Sequence, residues 1–158
     1  MFGLARKPAA PVAASAVHLY FSDAAVIVAA MHRNLEGIYF EQADATVRLA
    51  GVPSAHELGR AFQSAFQSFS MVDADLRGAK RSDWPAFKAS GARSVKQFED
   101  EFRPVSCYSL NPGNAIVRAS TPHARKSEVE LSTSFNPLQS AEAIGARLLR
   151  LLETAKAS

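Results

Sequence analysis

Apolar positions along the chain switch between a period of two, a period near 3.6 and unbroken runs, and each switch marks an element. Residues 17–21 (Val-His-Leu-Tyr-Phe) form a short aromatic-rich run ended by the turn pair Ser22-Asp23. Residues 25–31 (Ala-Val-Ile-Val-Ala-Ala-Met) are continuously apolar with β-branched members. That pattern predicts a strand covered on both faces, with a helix beginning after Asp23 as the alternative. A loop over 32–37 follows, then a hairpin of strands 38–41 and 46–49 turning at Ala43-Asp44 and ended by Gly51-Val52-Pro53. Ser54 and Glu57 make a capping box for a helix with Leu58, Phe62, Ala65, Phe66 and Phe69 on one side.

Residues 70–81 lack periodicity and read as a connector to two short aromatic-rich helices. Ser82 is the expected cap of the first, with Asp83, Trp84 and Pro85 in its opening turn and Gly91 as its left-handed stop. Ser94 and Gln97 cap the second, on which Val95, Phe98 and Phe102 recur at helical spacing before Pro104 closes the unit. Strands over 105–110 and 115–120 join through the turn Asn111-Pro112-Gly113-Asn114. Residues 122–127 read as a basic loop with His123, Arg125 and Lys126. Over 128–135, Val129, Leu131, Thr133 and Phe135 alternate with polar residues, the pattern of a half-buried strand. Ser140 caps a last helix striped with Ile144, Leu148, Leu151 and Leu152.

Residues 38–66 and 116–152 echo each other as two strands, a proline-containing loop and an amphipathic helix. Leu58-Gly59 and Ile144-Gly145 take equivalent places, so both glycines can let a helix approach the sheet closely. The echo is either a pseudo-repeated ββα plan or a chance likeness; two copies are too few for a solenoid. The expected fold is a single α+β domain over 16–158, with a flexible tail over 1–15. Its mixed or antiparallel sheet has about five or six strands with helices packed on it.

Composition narrows the function classes. The 158 residues, 47% hydrophobic and 21% charged, suit one globular domain with a real core. The net charge of +3 comes without a polybasic run, so the bland reading is a solvated surface and not a nucleic-acid footprint. Cys107 is the one cysteine, which leaves no internal disulfide and fits a reducing compartment. Set among apolar and aromatic neighbours, it reads as a buried thiol rather than a nucleophile. No stretch approaches the ~18 apolar residues of a membrane span. Pro8 and Pro11 break the faint signal-peptide look of the first residues, so a cytoplasmic protein is expected.

Candidate chemistry is sparse. The four histidines at 18, 32, 56 and 123 are scattered and match no metal-ligand spacing, and no phosphate loop or nucleophile elbow is present. Neither a metal nor a cofactor is therefore expected. Glu99-Asp100-Glu101 suits a solvated helix face better than a ligand set. The cluster His123, Arg125 and Lys126 is too small to specify a phosphate contact. Phe62, Phe66, Phe69, Trp84, Phe87, Phe98 and Phe102 recur as core positions, not as a base-stacking platform.

The run from Trp84 to Phe98 pairs a Trp with a Phe three residues on, then a Ser/Gly pair, a basic-Ser doublet and a Phe four past that Ser. With the closing helix from Ala143-Ile144-Gly145-Ala146 to Leu152, it resembles the immunity proteins of bacterial contact-dependent growth inhibition systems. The likeness spans about residues 16–155 and is tight at 84–98 and 143–152. It implies a cytoplasmic, non-enzymatic protein that binds and neutralises the C-terminal toxin domain delivered by sibling cells. A toxin-binding surface would bury about 800 Å² per partner around a few desolvated anchors. Glu36, Glu41, Asp44, Asp73 and Asp75 make the first half the more acidic and are the candidate contact residues. The alternatives are a non-enzymatic adaptor or scaffold for a secreted effector, and a small enzyme of unrecognised type.

Overall fold

A computed structural model describes residues 15–122 and 128–157. β1 (Ser15–Phe21), β2 (Ala25–Arg33) and β3 (Tyr39–Ala50) form an antiparallel meander that leads into α1 (Ala55–Gln67). A two-residue strand, β4 (Ser70–Met71), then lies parallel to the end of β2. The connector leads through a 3-10 turn at Arg81–Asp83 to the short helices α2 (Pro85–Ser90) and α3 (Val95–Glu101). A second antiparallel meander, β5 (Arg103–Asn111), β6 (Asn114–Pro122) and β7 (Glu128–Phe135), leads into α4 (Ala141–Ala157).

The sheet order β3-β2-β1-β5-β6-β7 places the two meanders back to back, joined by the antiparallel pair β1–β5. The fold is thus a single α+β domain with a seven-stranded sheet, antiparallel apart from β4. The expected echo is present, and its unit is βββα. The glycines serve a different contact from the one expected. A Cβ on Gly59 would fall 1.8 Å from the carbonyl oxygen of Ala141, and one on Gly145 would fall 1.7 Å from that of Ala55. Both therefore bring α1 and α4 against each other rather than against the sheet.

Strand alternation divides the core. Val17, Leu19 and Phe21 of β1, Val105 and Cys107 of β5, and Ala115, Val117 and Ala119 of β6 pack under α1 and α4 with Leu58, Phe62, Ile144 and Leu148. The opposite face carries Tyr20, Ala25 and Ile27, which pack with Ala86, Phe98 and Phe102 beneath α2 and α3. β2 is therefore buried on both faces through Met31, as its unbroken apolar run predicts. The outward-facing residues of β5 to β7 are left open: Tyr108, Ile116, Arg118, Ser120, Glu130 and Ser132 are all exposed.

Several local expectations change. Phe69, expected on α1, lies beyond its end at Gln67, and Ser70–Met71 of the expected connector form β4. The stretch expected as a hairpin is one strand from Tyr39, because Ala43-Asp44 lies in a bulge and not in a turn. The register jumps from Ala29↔Thr46 to Met31↔Glu41, leaving the surplus residues in β3. Gln42 satisfies the bulge by donating to the carbonyls of Met31 (2.9 Å) and Ser68 (2.7 Å), and Thr46 Oγ1 donates to the Gln42 carbonyl at 2.7 Å. The expected loop over 32–37 starts later, since His32 and Arg33 remain in β2. Ser82 sits in the 3-10 turn and caps nothing; the N-cap position of α2 falls to Trp84, which offers no side-chain cap.

Other signals hold. Gly91 ends α2 at φ 76°, and Ser94 accepts from the Gln97 N–H at 3.1 Å. The Gln97 side chain reaches back to accept from the N–H of Arg93, one residue beyond Ser94, the usual capping-box partner. Ser54 and Glu57 form the full box. Of the expected tail, Ser15 is the first residue of β1, its Oγ donating to the Phe66 carbonyl at 2.6 Å; the rest lies outside the described residues, as do His123, Arg125 and Lys126.

Candidate functional site

The open sheet face holds a line of polar groups beside the α2 start. Alternation puts His18 and Tyr20 of β1 and Tyr108 of β5 on this face, and β3 brings Glu41 next to them. Tyr20 donates its hydroxyl proton to Glu41 Oε1 at 2.6 Å, and the Ala86 N–H donates to Glu41 Oε2 at 2.8 Å. With that proton committed, His18 Nδ1 carries the hydrogen that reaches the Tyr20 oxygen at 3.3 Å. Its Nε2 then accepts from the Tyr108 hydroxyl at 3.1 Å. The line runs Tyr108, His18, Tyr20, Glu41, and ends on the first turn of α2. A carboxylate from another element thus supplies the cap that the local sequence lacks.

Burial sets the protonation. The Glu41 side chain is only 3% exposed, and desolvation raises its pKa against the lowering by hydrogen bonds from Tyr20, Trp84 and Ala86. Desolvation pushes His18 down to about 4, so its imidazole is neutral at pH 7. Burial, then the Glu41 charge, raises the Tyr20 hydroxyl. A neutral histidine with both nitrogens engaged is poorly matched to proton transfer near pH 7 and well matched to pinning strands together. Trp84 and Phe98 close over Tyr20, with ring centroids 5.6 and 5.3 Å from it.

A groove of about 640 Å³ opens beside this line, between Met31, Tyr39 and Phe40 on one side and Leu76, Lys80 and Trp84 on the other. A smaller hollow of about 290 Å³ shares His18, Tyr20 and Trp84 with it and extends to Arg118 and Glu130. Among the described residues, no group of three or more His, Cys, Asp or Glu side chains gathers as a metal site would. Cys107 is buried in the helix-side core, its thiol pushed up to about 12 by desolvation. No described helix is long and apolar enough to cross a membrane.

The five candidate acidic residues separate. Glu36 lies exposed in the β2–β3 turn and Asp44 exposed in the β3 bulge. Asp73 and Asp75 lie exposed on the segment after β4, which the Asn34 side chain holds through the Ala74 carbonyl at 3.2 Å. Asp75 pairs with Arg77 at 2.7 Å. Glu36, Asp73 and Asp75 therefore share one end of the sheet, while Glu41 is inside and occupied. The Tyr20–Glu41–Ala86 relay has no sequence signal, because its members lie on three separate elements.

No protein-family model matches this chain, and no curated protein matches it significantly. Solved structures do match. A protein of unknown function from Neisseria meningitidis superposes with a TM-score of 0.69 at 16% identity, covering 89% of this chain and 94% of that one. A chain of the CdiA-CT/CdiI toxin and immunity complex from Yersinia pseudotuberculosis superposes with a TM-score of 0.66 at 13% identity, covering 89% and 96%. What is shared at these identities is the fold, over nearly the whole length of all three chains.

Proposed function

We propose that this chain is an immunity protein of a contact-dependent growth inhibition pair. It acts in the cytoplasm by binding the C-terminal toxin domain, without turnover and without a cofactor. The observation that carries this reading is the likeness, across 89% of the chain, to a chain of a toxin and immunity complex. The stretches that carry the sequence resemblance support it from a second direction. Residues 84–98 set α2 and α3 on the sheet, and residues 143–152 cross α4 over α1. Function by shape needs such a scaffold, rigid before the partner arrives.

Co-expression tests the reading. Cells making the toxin domain encoded beside this gene should grow when the chain is present, and the purified pair should form a tight complex. Toxicity undiminished by the chain, with no complex formed, would end the proposal. A bound neighbour that is harmless alone would make the chain an adaptor instead.

A further inference from the structure

β7 is the outer strand of its half of the sheet, and between it and α4 runs a groove of about 490 Å³. Leu131 and Leu151 give it apolar walls, Thr133 adds a hydroxyl, and Arg147 and Arg150 stand along the α4 side. Residues three apart on a helix share a side, so the two guanidinium groups work together. Both arginines are exposed, and neither side chain has an ion pair or hydrogen bond among the described residues.

The contrast with the open sheet face decides what this groove fits. There, Arg81 is bridged by Glu99 and Arg118 by Glu130, and Lys88 lies 3.6 Å from Asp83. Lys80 apart, those charges are paired within the chain, whereas Arg147 and Arg150 stand together with no carboxylate bridging them among the described residues. We infer that this groove receives an acidic segment of the partner protein, with Arg147 and Arg150 pairing its carboxylates and the leucines taking an apolar side chain beside them. The inference rests on the immunity reading, under which that partner is the toxin domain. Planar guanidinium forks suit carboxylates, and an apolar pocket beside them is the form an interface anchor takes. Nucleic acid fits less well, since no aromatic lines the groove for stacking and two cations neutralise few phosphates.

The test has two arms, both on the full chain. In the first, isotope-labelled protein is titrated with a short glutamate-rich peptide carrying leucine and followed by NMR. Shifts should gather at 131–133 and 146–151 and disappear in the Arg147→Glu/Arg150→Glu variant, whose melting temperature should match wild type because both positions are exposed. No shifts, shifts centred on the open sheet face, or tighter binding there by an RNA oligonucleotide of equal charge would overturn the inference. In the second arm, the double variant should bind the toxin domain about 100-fold more weakly, while Lys80→Glu on the open face stays within about twofold. Equal binding by the double variant and wild type overturns the groove and leaves the immunity reading standing. A toxin that wild type neither binds nor neutralises, with the peptide footprint intact, overturns the immunity reading and leaves the acidic-segment site.

Discussion

Gly59 and Gly145 occupy matching places in the two halves of the molecule, each pressed onto the first residue of the other's helix. Gly59 meets Ala141 and Gly145 meets Ala55, with no room for a Cβ at either crossing. The contact is the helical counterpart of the β1–β5 pairing across the centre of the sheet. Together they join two meanders into one core.

Gly59→Ala and Gly145→Ala should each destabilise the fold by about 3 kcal/mol, since the helices must separate to admit a methyl group against backbone. Gly78→Ala, with open space around it and no positive φ, should change stability by less than about 0.5 kcal/mol. Urea denaturation of the three variants checks this. Comparable stability for all three would contradict the crossing geometry.

Helix capping offers a second comparison. Ser94→Ala removes an acceptor for the Gln97 N–H and should cost about 1 kcal/mol. Ser82→Ala should be near neutral, because Ser82 sits in the 3-10 turn and caps neither helix. The cap of α2 belongs to Glu41. Glu41→Ala, leaving the Tyr20 hydroxyl and the Ala86 N–H without their acceptor, should cost about 2–4 kcal/mol. Thermal unfolding of the three variants ranks them.

Acid sensitivity should report on His18. Its folded pKa lies at about 4 against an ordinary value of 6.5, so the unfolded chain takes up its proton first as pH falls. The stability it contributes is complete above pH 6.5 and is lost on descending towards pH 4, by up to about 1.4 kcal/mol per pH unit. Glu41 has the opposite sign: its raised pKa means that the native state takes up the proton first, a gain as pH falls. Tyr20 and Tyr108, the other groups facing His18, stay protonated throughout this range. A His18→Gln variant should therefore show a shallower loss than wild type between pH 6.5 and 4. Parallel curves would place the imidazole in a wetter setting.

Cys107 gives a direct probe of core opening. Buried and pushed up to about 12, its thiol should resist a disulfide reagent at pH 8 in the native protein and react promptly in denaturant. Prompt reaction in the native state would show that the sheet opens under α1 and α4.

Elements with their own periodic signal were legible in the chain. The apolar run 25–31, the alternation at 129–135, the Ile144–Leu148–Leu151 stripe and the Ser54–Glu57 box each carry their geometry locally, through side-chain period or a cap within one turn. The groove flanked by Arg147 and Arg150 was not legible, since two arginines on a helix read as an ordinary wet face until β7 is placed beside them.

Residues 38–49 mark the boundary between the two kinds of information. Ala43-Asp44 carries turn chemistry, and in isolation a turn is the sound reading. Only β2 alongside, with Gln42 bonded to Met31 and Ser68, makes a bulge in a continuous strand the satisfied alternative. The same bulge precedes the stretch that faces the first half of β2, and Glu41 at its edge caps a helix 45 residues further along the chain. The sequence by itself therefore determined most of the strands and helices and which face of each is apolar, because those properties depend on near neighbours. Tertiary structure alone decided the pairing of the halves, the crossing at Gly59 and Gly145 and the identity of the α2 cap, because each is a contact between groups far apart along the chain.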